Sequence, residues 1–267
     1  MNIDKIKFIE DIICQNFGLV FSGSYEKFFR NKVNERIKAL NLSSIEEYYN
    51  YLSNGTKKRE ELLKLVDDVV IKESYFFREK IQFDILFDYL IPKIKKDFSK
   101  LKIWSAGCAD GAEPYTIAIY SMERGEYNNI EIIGTDISFS ALKKAKIGIY
   151  TEYDLRNTPE YIKNKYFRKK DGNYLIIDEV KNKVKFKYLN LLDIEKKDFE
   201  KDFNIIFCRN VFIYLNDKAK KKIIYNFYKS LINKGYLFIS HSEFFPNNHL
   251  FKKNQIGQVY FFQKESK

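Results

Sequence analysis

The sequence predicts an α/β fold: an open, mainly parallel, doubly wound sheet preceded by an all-helical N-terminal domain. Short β-branched and aromatic runs alternate with helical stretches after Lys100. A loop containing glycine follows the first of these runs and leads into a helix, which is the first unit of such a sheet. No strand signal occurs before Lys100, where apolar residues instead recur at helical spacing.

The helical spacing is clear at the start of the chain, in Ile3, Ile6, Ile9 and Ile13. Ser44 is a good N-cap for a later helix of this region. We assign residues 1–72 to a helical N-terminal domain and residues 73–99 to a linker with a connecting helix. Residues 100–267 form the predicted sheet domain.

The strands of the sheet domain are predicted from its apolar runs: Ile103–Ser105, Ile130–Thr135, Val184–Leu189, Phe203–Cys208, Tyr236–Ser240 and Val259–Phe262. The last strand should run antiparallel, paired with Leu250–Lys252, because the connection before it is too short for a crossover helix. Asp171-Gly172 is a good hairpin turn. We therefore expect a small antiparallel β-subdomain inserted at about residues 158–184.

Charge and composition exclude several classes of protein. The formal net charge is +11, but only 8 of the 47 basic residues are arginine, which indicates compositional bias more than a nucleic-acid surface. No apolar run is long enough to span a membrane, and the N-terminus has no signal-peptide pattern. The three cysteines lie far apart without metal-ligand spacing, so we expect a reduced cytoplasmic protein with no metal site.

The loop after the first strand contains Gly107 and Gly111. Their spacing differs from the G-x-G-x-x-G fingerprint, and no Gly-Lys-Ser/Thr segment follows. The loop therefore suits a ligand that approaches the backbone closely without a phosphate, such as S-adenosylmethionine, or it is a plain tight turn. The next helix should begin at Glu113-Pro114, with Asp110 as its cap.

Polar residues follow other strands at the same predicted edge. Asp136 ends the second strand and can accept hydrogen bonds from a ribose, or it caps the next helix. Arg209-Asn210 follows the fourth strand, and Tyr214 would share a helical face with Asn210 if a helix began there. Arg78 lies between the domains in an aromatic setting, which favours a carboxylate partner or an interdomain ion pair.

Together these residues resemble the CheR family, the chemoreceptor glutamate O-methyltransferases. The resemblance covers nearly the whole chain and rests on the segments Lys72–Glu79, Trp104–Tyr115, Gly134–Asp136, Ala145–Tyr150, Asn190–Leu192, Phe207–Tyr214 and Ser240–Glu243. It implies a Rossmann-like class I methyltransferase sheet and S-adenosylmethionine as the methyl donor. It also implies that receptor glutamates become methyl esters in chemotaxis adaptation.

The resemblance also implies roles for individual positions. Residues that match cofactor contacts of the family, together with Gly107 of the loop, are Ser74, Arg78, Glu113, Asp136, Asn190, Leu191, Arg209 and Asn210. Arg78 and Tyr214 match positions proposed to act near the transferred methyl group. The helix Tyr25–Leu40 matches a basic helix that faces the receptor, which gives the candidate contacts Arg30, Lys32, Arg36 and Lys38. Charge reversal at Arg36 should then lower receptor methylation and spare cofactor binding.

This sequence departs from the family pattern at three places. Lys72 stands where the family usually has Asn, and Ala112 stands where Glu is common. The β-subdomain loop Lys169–Asn173 is shorter than in members that bind a receptor C-terminal pentapeptide. We expect a monomer that binds the receptor helical bundle without the pentapeptide, and that neither binds nucleic acid nor inserts into a membrane.

Two rival functions remain open on the sequence. A nucleic-acid methyltransferase on the same fold usually has an Asn/Asp-Pro-Pro-Tyr segment or a Pro-Cys nucleophile, whereas here Cys208-Arg-Asn-Val follows the fourth strand and no cysteine follows proline. A non-catalytic module could bind S-adenosylmethionine as a sensor. The presence of Arg78, Asp136 and Tyr214 argues against that second reading.

Overall fold

The computed structural model describes residues 2–195, 199–243, 245 and 249–265, with side chains from residue 5 onward. The chain divides into two compact units. The first contains Met1–Ile71 and Ile213–Lys222, and the second contains Lys72–Phe212 and Ile223–Lys267.

The first unit is helical, with α1 Asn2–Phe17, α2 Ser24–Ala39, α3 Ile45–Asn54 and α4 Lys58–Val69. Its core contains Ile9 and Ile13, which the helical spacing predicts, together with Phe29, Val33 and Leu65. Ser44 is the N-cap of α3, and its hydroxyl accepts a hydrogen bond from the Glu47 N–H at 3.2 Å.

A short segment from the C-terminal half of the sequence belongs to this helical unit. The Val20 N–H donates to the Tyr214 carbonyl at 2.9 Å, and the Asn216 N–H donates to the Gly18 carbonyl at 2.9 Å. These bonds satisfy backbone groups of both segments. The compact helical unit is therefore discontinuous in sequence.

The second unit contains the strands β1 Leu101–Ala106, β2 Ile130–Asp136, β3 Ile149–Tyr150, β4 Phe167–Lys170, β5 Asn173–Ile176, β6 Val184–Tyr188, β7 Phe203–Phe207, β8 Leu231–Phe238, β9 Phe251–Ile256 and β10 Val259–Lys264. Its helices are α5 Lys80–Ile85, α6 Ile91–Ile94, α7 Ala112–Glu123, α8 Phe139–Ile147, α9 Glu160–Tyr166 and α10 Asp178–Lys181. A π-helical turn, Leu86–Leu90, joins α5 to α6. The last helix, α11 Asp217–Ser230, begins in the first unit and ends in the second.

Seven of these strands form one sheet in the order β6-β2-β1-β7-β8-β10-β9. β1 pairs in parallel with β2 and with β7, so the chain reverses its direction of winding at β1. β9 and β10 form an antiparallel hairpin, which confirms the predicted orientation of the last strand. The doubly wound α/β fold is confirmed.

The smaller sheet is antiparallel, in the order β3-β5-β4. Asp171 and Gly172, both with positive φ (49° and 75°), form the predicted turn between β4 and β5. Ile149 and Tyr150 add the two-residue strand β3, which no run in the sequence was long enough to predict.

One prediction about a helix start was wrong, and the condition attached to another is not met. α7 begins at Ala112 after Gly111 (φ 88°), without a side-chain cap, and the Asp110 carboxylate instead accepts a hydrogen bond from Lys144 Nζ at 2.7 Å. No helix begins at Asn210. A 3₁₀ turn, Phe212–Tyr214, follows it, so Asn210 and Tyr214 do not share a helical face.

None of the helices within the described ranges combines the length and apolarity that a bilayer crossing requires.

Candidate functional site

The loop after β1 contributes mainly backbone groups to the site. Gly107 has a φ of 78°, and a Cβ at this position would lie 2.5 Å from Val211 Cγ2. The N–H groups of Gly107 and Cys108 donate to the Thr135 carbonyl of β2 at 2.8 and 2.9 Å. The loop is thereby fixed against the neighbouring strand, and only glycine fits at position 107.

Asp136, at the carboxyl end of β2, holds the same loop from its other side. Its Oδ2 accepts the Ala109 N–H at 2.8 Å, and its Oδ1 accepts the Ser138 N–H at 2.8 Å. Each carboxylate oxygen can accept more than one hydrogen bond. The arrangement therefore fits a ribose at this edge, while the helix cap itself is Ser138, whose hydroxyl accepts the Ala141 N–H.

Behind the loop lies a buried ion cluster centred on Arg209, whose side chain is only 2% exposed. Its Nη1 donates to Glu113 Oε2 at 3.1 Å, and its Nη2 donates to the Arg78 carbonyl at 2.5 Å and lies 3.5 Å from Glu79 Oε2. Ser105 Oγ donates to the other Glu113 oxygen at 2.7 Å. The guanidinium of Arg209 thus forms part of the scaffold, which leaves its backbone for a cofactor contact.

The pKa values of the two carboxylates in the cluster, Glu113 and Glu79, shift in opposite directions. Burial raises the pKa of Glu113, although the charge of Arg209 opposes that rise. Burial also acts on Glu79, but Arg209, the Ser240 hydroxyl and His241 outweigh it and lower the pKa of Glu79. Glu79 is therefore the carboxylate that the cluster holds in its charged form.

Glu79 is a site residue that the sequence analysis did not assign. Its Oε1 accepts a hydrogen bond from Ser240 Oγ at 2.5 Å, and its Oε2 accepts one from Gln82 Nε2 at 3.0 Å. His241 Nδ1 lies 3.1 Å from Oε1. Position 79 lies within the Lys72–Glu79 motif, so the motif marked it without revealing its role.

Glu243 is the second residue that sequence reasoning missed. Its Oε2 accepts the N–H groups of Asn210 and Ser240 at 2.8 and 3.0 Å, and its Oε1 accepts the Phe212 N–H at 2.8 Å. Burial raises the pKa of Glu243, and these backbone donors oppose the rise. The carboxylate fixes the loop after β7, in which Asn210 has a φ of 58°.

A turn after β6 brings Asn190 and Leu191 to the same edge, beside β2. The Asn190 side-chain oxygen accepts the Leu192 N–H at 3.0 Å. The Leu191 carbonyl accepts a hydrogen bond from Asn226 Nδ2 at 3.0 Å. The carboxyl ends of β6, β2, β1 and β7 therefore supply Asn190, Asp136, Gly107 and Asn210 in neighbouring positions.

The segment that carries Ser74 and Arg78 is held in an unusual backbone conformation. Phe77 and Glu79, on either side of Arg78, have φ values of 59° and 52°. For such side chains this conformation costs about 1–3 kcal/mol each, and it persists where the surroundings enforce it. One such constraint is the Phe77 N–H, which donates to Thr116 Oγ1 at 3.1 Å.

Arg78 itself is only partly buried, and its Cζ lies 5.3 Å from the ring centre of Tyr75. Within the described ranges no carboxylate forms an ion pair with it. This distinguishes Arg78 from Arg209, whose Nη1 and Nη2 both donate hydrogen bonds within the buried cluster. Arg78 thus keeps its charge and donors for a bound carboxylate.

Tyr214, the other predicted catalytic residue, lies in the helical unit. Its ring centre is 5.6 Å from that of Tyr25. Tyr25 donates its hydroxyl to the Val69 carbonyl at 2.9 Å, and burial together with Tyr214 raises the pKa of Tyr25. Tyr25 therefore holds Tyr214 on one side within this unit.

The predicted receptor contacts on α2 differ in their surroundings. Arg36 makes a two-bond ion pair with Glu61 at 2.9 and 2.7 Å, and the Glu61 side chain is 2% exposed. Arg30 and Lys32 pair with acids of their own helix, Glu26 and Glu35. The Arg36 guanidinium therefore neutralises a buried acid of the core, and its contact with the receptor stays a prediction. Arg30, Lys32 and Lys38 remain candidates.

The residues at the sheet edge fit S-adenosylmethionine. The loop at Gly107 has no room for a side chain, and Asp136 presents its carboxylate at the strand tip. No group of three or more potential metal ligands occurs within the described part of the chain.

Comparison with known proteins agrees with this geometry. The family "CheR methyltransferase, SAM binding domain" matches residues 72–260, and "CheR methyltransferase, all-alpha domain" matches residues 4–70. A solved structure, magnesium protoporphyrin IX methyltransferase (ChlM) from Synechocystis PCC 6803 with bound SAM, aligns at 12% identity and a TM-score of 0.38. It covers 88% of this chain and 97% of that chain, but the likeness is too weak to add to the family match.

Among curated relatives, the chemotaxis protein methyltransferase of Borreliella burgdorferi is 36% identical over 92% of this chain and 89% of its own length. Chemotaxis protein methyltransferase 2 of Vibrio cholerae is 33% identical over 87% of this chain and 83% of its own length. The Listeria innocua protein of the same kind is 29% identical over 87% of both chains. With both domain profiles matched in order and relatives aligned over most of their length, this chain belongs to the CheR methyltransferase family.

Proposed function

We propose that this chain transfers the methyl group of S-adenosylmethionine to glutamate side chains of chemoreceptors and forms glutamate methyl esters. The observation that carries the proposal is Arg78, an arginine without an ion-pair partner in the described ranges, whose carbonyl is bonded to the Arg209–Glu113 scaffold. Family membership makes the chain an S-adenosylmethionine-dependent methyltransferase of chemotaxis.

The chemistry requires little acid–base assistance from the protein. When bound, S-adenosylmethionine supplies a methyl group activated by a sulfonium, and transfer to a carboxylate cancels both charges. A glutamate with an ordinary pKa of about 4.3 is already ionised at neutral pH, so no general base is needed. The site must orient the reactants and exclude water, which can contribute up to about 7–11 kcal/mol.

The residues divide these tasks. Asp136 holds the ribose, and the backbone of the loop at Gly107 allows the cofactor to approach closely. Arg78 binds the incoming carboxylate through its guanidinium, which pairs with no acid of the described residues. Tyr214 orients the nucleophilic oxygen by a hydrogen bond, as its motif position implies.

The mode of receptor binding, the oligomeric state and the localisation are proposed from the family resemblance and from the short β-subdomain turn. The turn Asp171-Gly172 leaves no long loop in the β-subdomain, which supports binding to the receptor bundle without the pentapeptide. Arg30, Lys32 and Lys38 face the acidic receptor surface. We further propose a cytoplasmic monomer in which residues 1–72 form the receptor-facing domain.

Radiolabelled S-adenosylmethionine tests the function directly. Wild-type protein should label receptor-containing membranes in base-labile form, as methyl esters do, and should not label RNA or DNA. Arg78→Ala should abolish receptor labelling, whereas Arg124→Ala should not. Arg124 is a suitable control because it is a surface arginine paired with Asp88.

Each rival function predicts a different result. Labelling of nucleic acid instead of receptor would establish a nucleic-acid methyltransferase. Binding of the cofactor without turnover on any receptor would establish a sensor module. Normal transfer and normal cofactor affinity in Arg78→Ala would remove Arg78 from the mechanism.

A further inference from the structure

A second arginine lies beside Arg78 in an unusual setting. The Cζ of Arg156 is 3.6 Å from the ring centre of Tyr75 and 3.8 Å from that of Tyr153. The guanidinium is therefore in stacking contact with two aromatic rings. We call Arg156, Tyr75 and Tyr153, together with Arg78, the stacked-arginine patch.

The patch is accessible to a macromolecular partner. Tyr153 is 61% exposed, and the Arg156 side chain is 27% exposed. Stacking engages the faces of the guanidinium and leaves its in-plane N–H donors for hydrogen bonds. One of them donates to the Tyr153 carbonyl at 2.7 Å. The Glu73 carboxylate, 3.6 Å away, is itself 59% exposed, so its attraction is screened by water.

The loop that carries Arg156 is fixed to the rest of the site. The Phe76 N–H donates to the Asp154 carbonyl at 2.9 Å, which joins the loop to the Arg78 segment. Lys144 Nζ contacts carboxylate oxygens of Asp110 and Asp154 at 2.7 and 3.4 Å, which joins it to the glycine loop. Arg156 therefore has a defined position beside the candidate site of methyl transfer.

The two arginines are close because they share one ring. Arg78 Cζ lies 5.3 Å and Arg156 Cζ 3.6 Å from the ring centre of Tyr75, so their separation cannot exceed the sum of these distances. Carboxylates three or four residues apart on a helix have Cβ atoms about 5–6 Å apart. The two cations are therefore near enough to each other to contact two carboxylates on one face of a helix.

We propose that Arg156 binds a second carboxylate of the acceptor, one helical turn from the glutamate that Arg78 holds. The partner is an acidic helix, and Arg156 is a specificity determinant for it. This inference rests on the proposed function, because it uses the same acceptor. Planar, stacked arginines recognise carboxylates through two parallel hydrogen bonds, which lysine cannot reproduce.

Steady-state kinetics with a receptor fragment tests the inference. Arg156→Ala should raise the KM for the receptor roughly tenfold, the order expected for one charge-assisted contact at a partly exposed site. The kcat and the affinity for S-adenosylmethionine should stay unchanged. Arg156→Lys should recover only part of the loss. Arg124→Ala is the matched control, because Arg124 also lies over a tyrosine (Tyr120, 5.8 Å) and pairs with an acid.

A double-mutant cycle identifies the partner carboxylate. Changing the acidic residue one turn from the methylated glutamate to glutamine in the receptor should raise KM for wild type and have no further effect on Arg156→Ala. An unchanged receptor KM in Arg156→Ala would refute the inference. So would weaker cofactor binding in that variant, since it would show that the stack only holds the Arg78 segment. Absence of receptor methylation by wild type overturns the proposed function and the inference together.

Discussion

The loop after β7 provides the sharpest test of how this site is built. Glu243 is 8% exposed and accepts three backbone N–H groups, two of them on Oε2. Glu243→Gln preserves the size of the side chain and changes one oxygen to an NH₂ group. If the remaining oxygen takes the Oε2 position, the NH₂ group faces the Phe212 N–H, which loses its 2.8 Å acceptor.

The expected magnitude follows from that geometry. A hydrogen bond to a charged group contributes about 1.5–3 kcal/mol, and a buried donor without a partner costs about 1–3 kcal/mol. The two bonds that remain also weaken, because the acceptor is no longer a carboxylate. We expect Glu243→Gln to lower the free energy of unfolding by about 3 kcal/mol. The affinity for S-adenosylmethionine should also fall, since Asn210 depends on this loop.

Urea denaturation and calorimetric titration with S-adenosylmethionine measure the two effects separately. A shift of the urea midpoint at constant m-value reports the change in stability. Glu131→Gln is the control, because Glu131 pairs with Lys185 on the sheet surface, and such pairs contribute at most about 1 kcal/mol. If Glu243→Gln matched this control in stability and in cofactor affinity, the loop would not depend on the carboxylate, and the reasoning would fail.

Three further predictions concern the loop, the cluster and the helical core. Gly107→Ala should abolish cofactor binding in calorimetry. Gly172→Ala is the control, because Gly172 has a similar φ and no atom within 4 Å of the added Cβ, and it should leave cofactor binding unchanged. Equal effects of the two substitutions would contradict the steric argument. Because the pKa of Glu79 lies below its ordinary 4.5, the stability it contributes should be present above that pH and be lost on further acidification. The difference in urea midpoint between wild type and Glu79→Gln should therefore shrink below pH 4.5. A difference that stays constant with pH would contradict the lowered pKa of Glu79. Arg36→Ala should destabilise the protein by about 3 kcal/mol in thermal unfolding, because Glu61 loses its charge partner. Unchanged stability would contradict this structural role of the ion pair.

Local patterns were sufficient for much of the fold. The strands β1 and β7 are mainly apolar and are fully or nearly fully buried, whereas β6, at the edge of the sheet, alternates apolar residues with lysines. Buried strands of parallel sheets require such runs, so the runs identify them. The turn Asp171-Gly172 was equally clear, because few residue pairs adopt positive φ at both positions.

The sequence is least informative where a side chain's partner is distant in the chain. Asp110 precedes a helix and is a residue type common at helix caps. Its carboxylate instead accepts a hydrogen bond from Lys144, which is 34 residues away in the chain. The sequence likewise did not show that Arg36 pairs with the buried Glu61, 25 residues further along the chain. A helical period shows which face a residue occupies and does not show what another helix brings to that face.

The sequence by itself therefore determined the fold class, the order of the elements and the edge of the sheet where polar residues collect, since these depend on local spacing and on strand order. Only the tertiary structure decided which charges are available. Arg78 and Arg209 both lie in segments that carry the family resemblance, yet Arg209 is engaged by Glu113 and Glu79, while Arg78 has no ion-pair partner in the described ranges. The same holds for Glu243 and Arg156, whose roles depend on backbone donors and aromatic rings that long-range folding brings within a few ångströms.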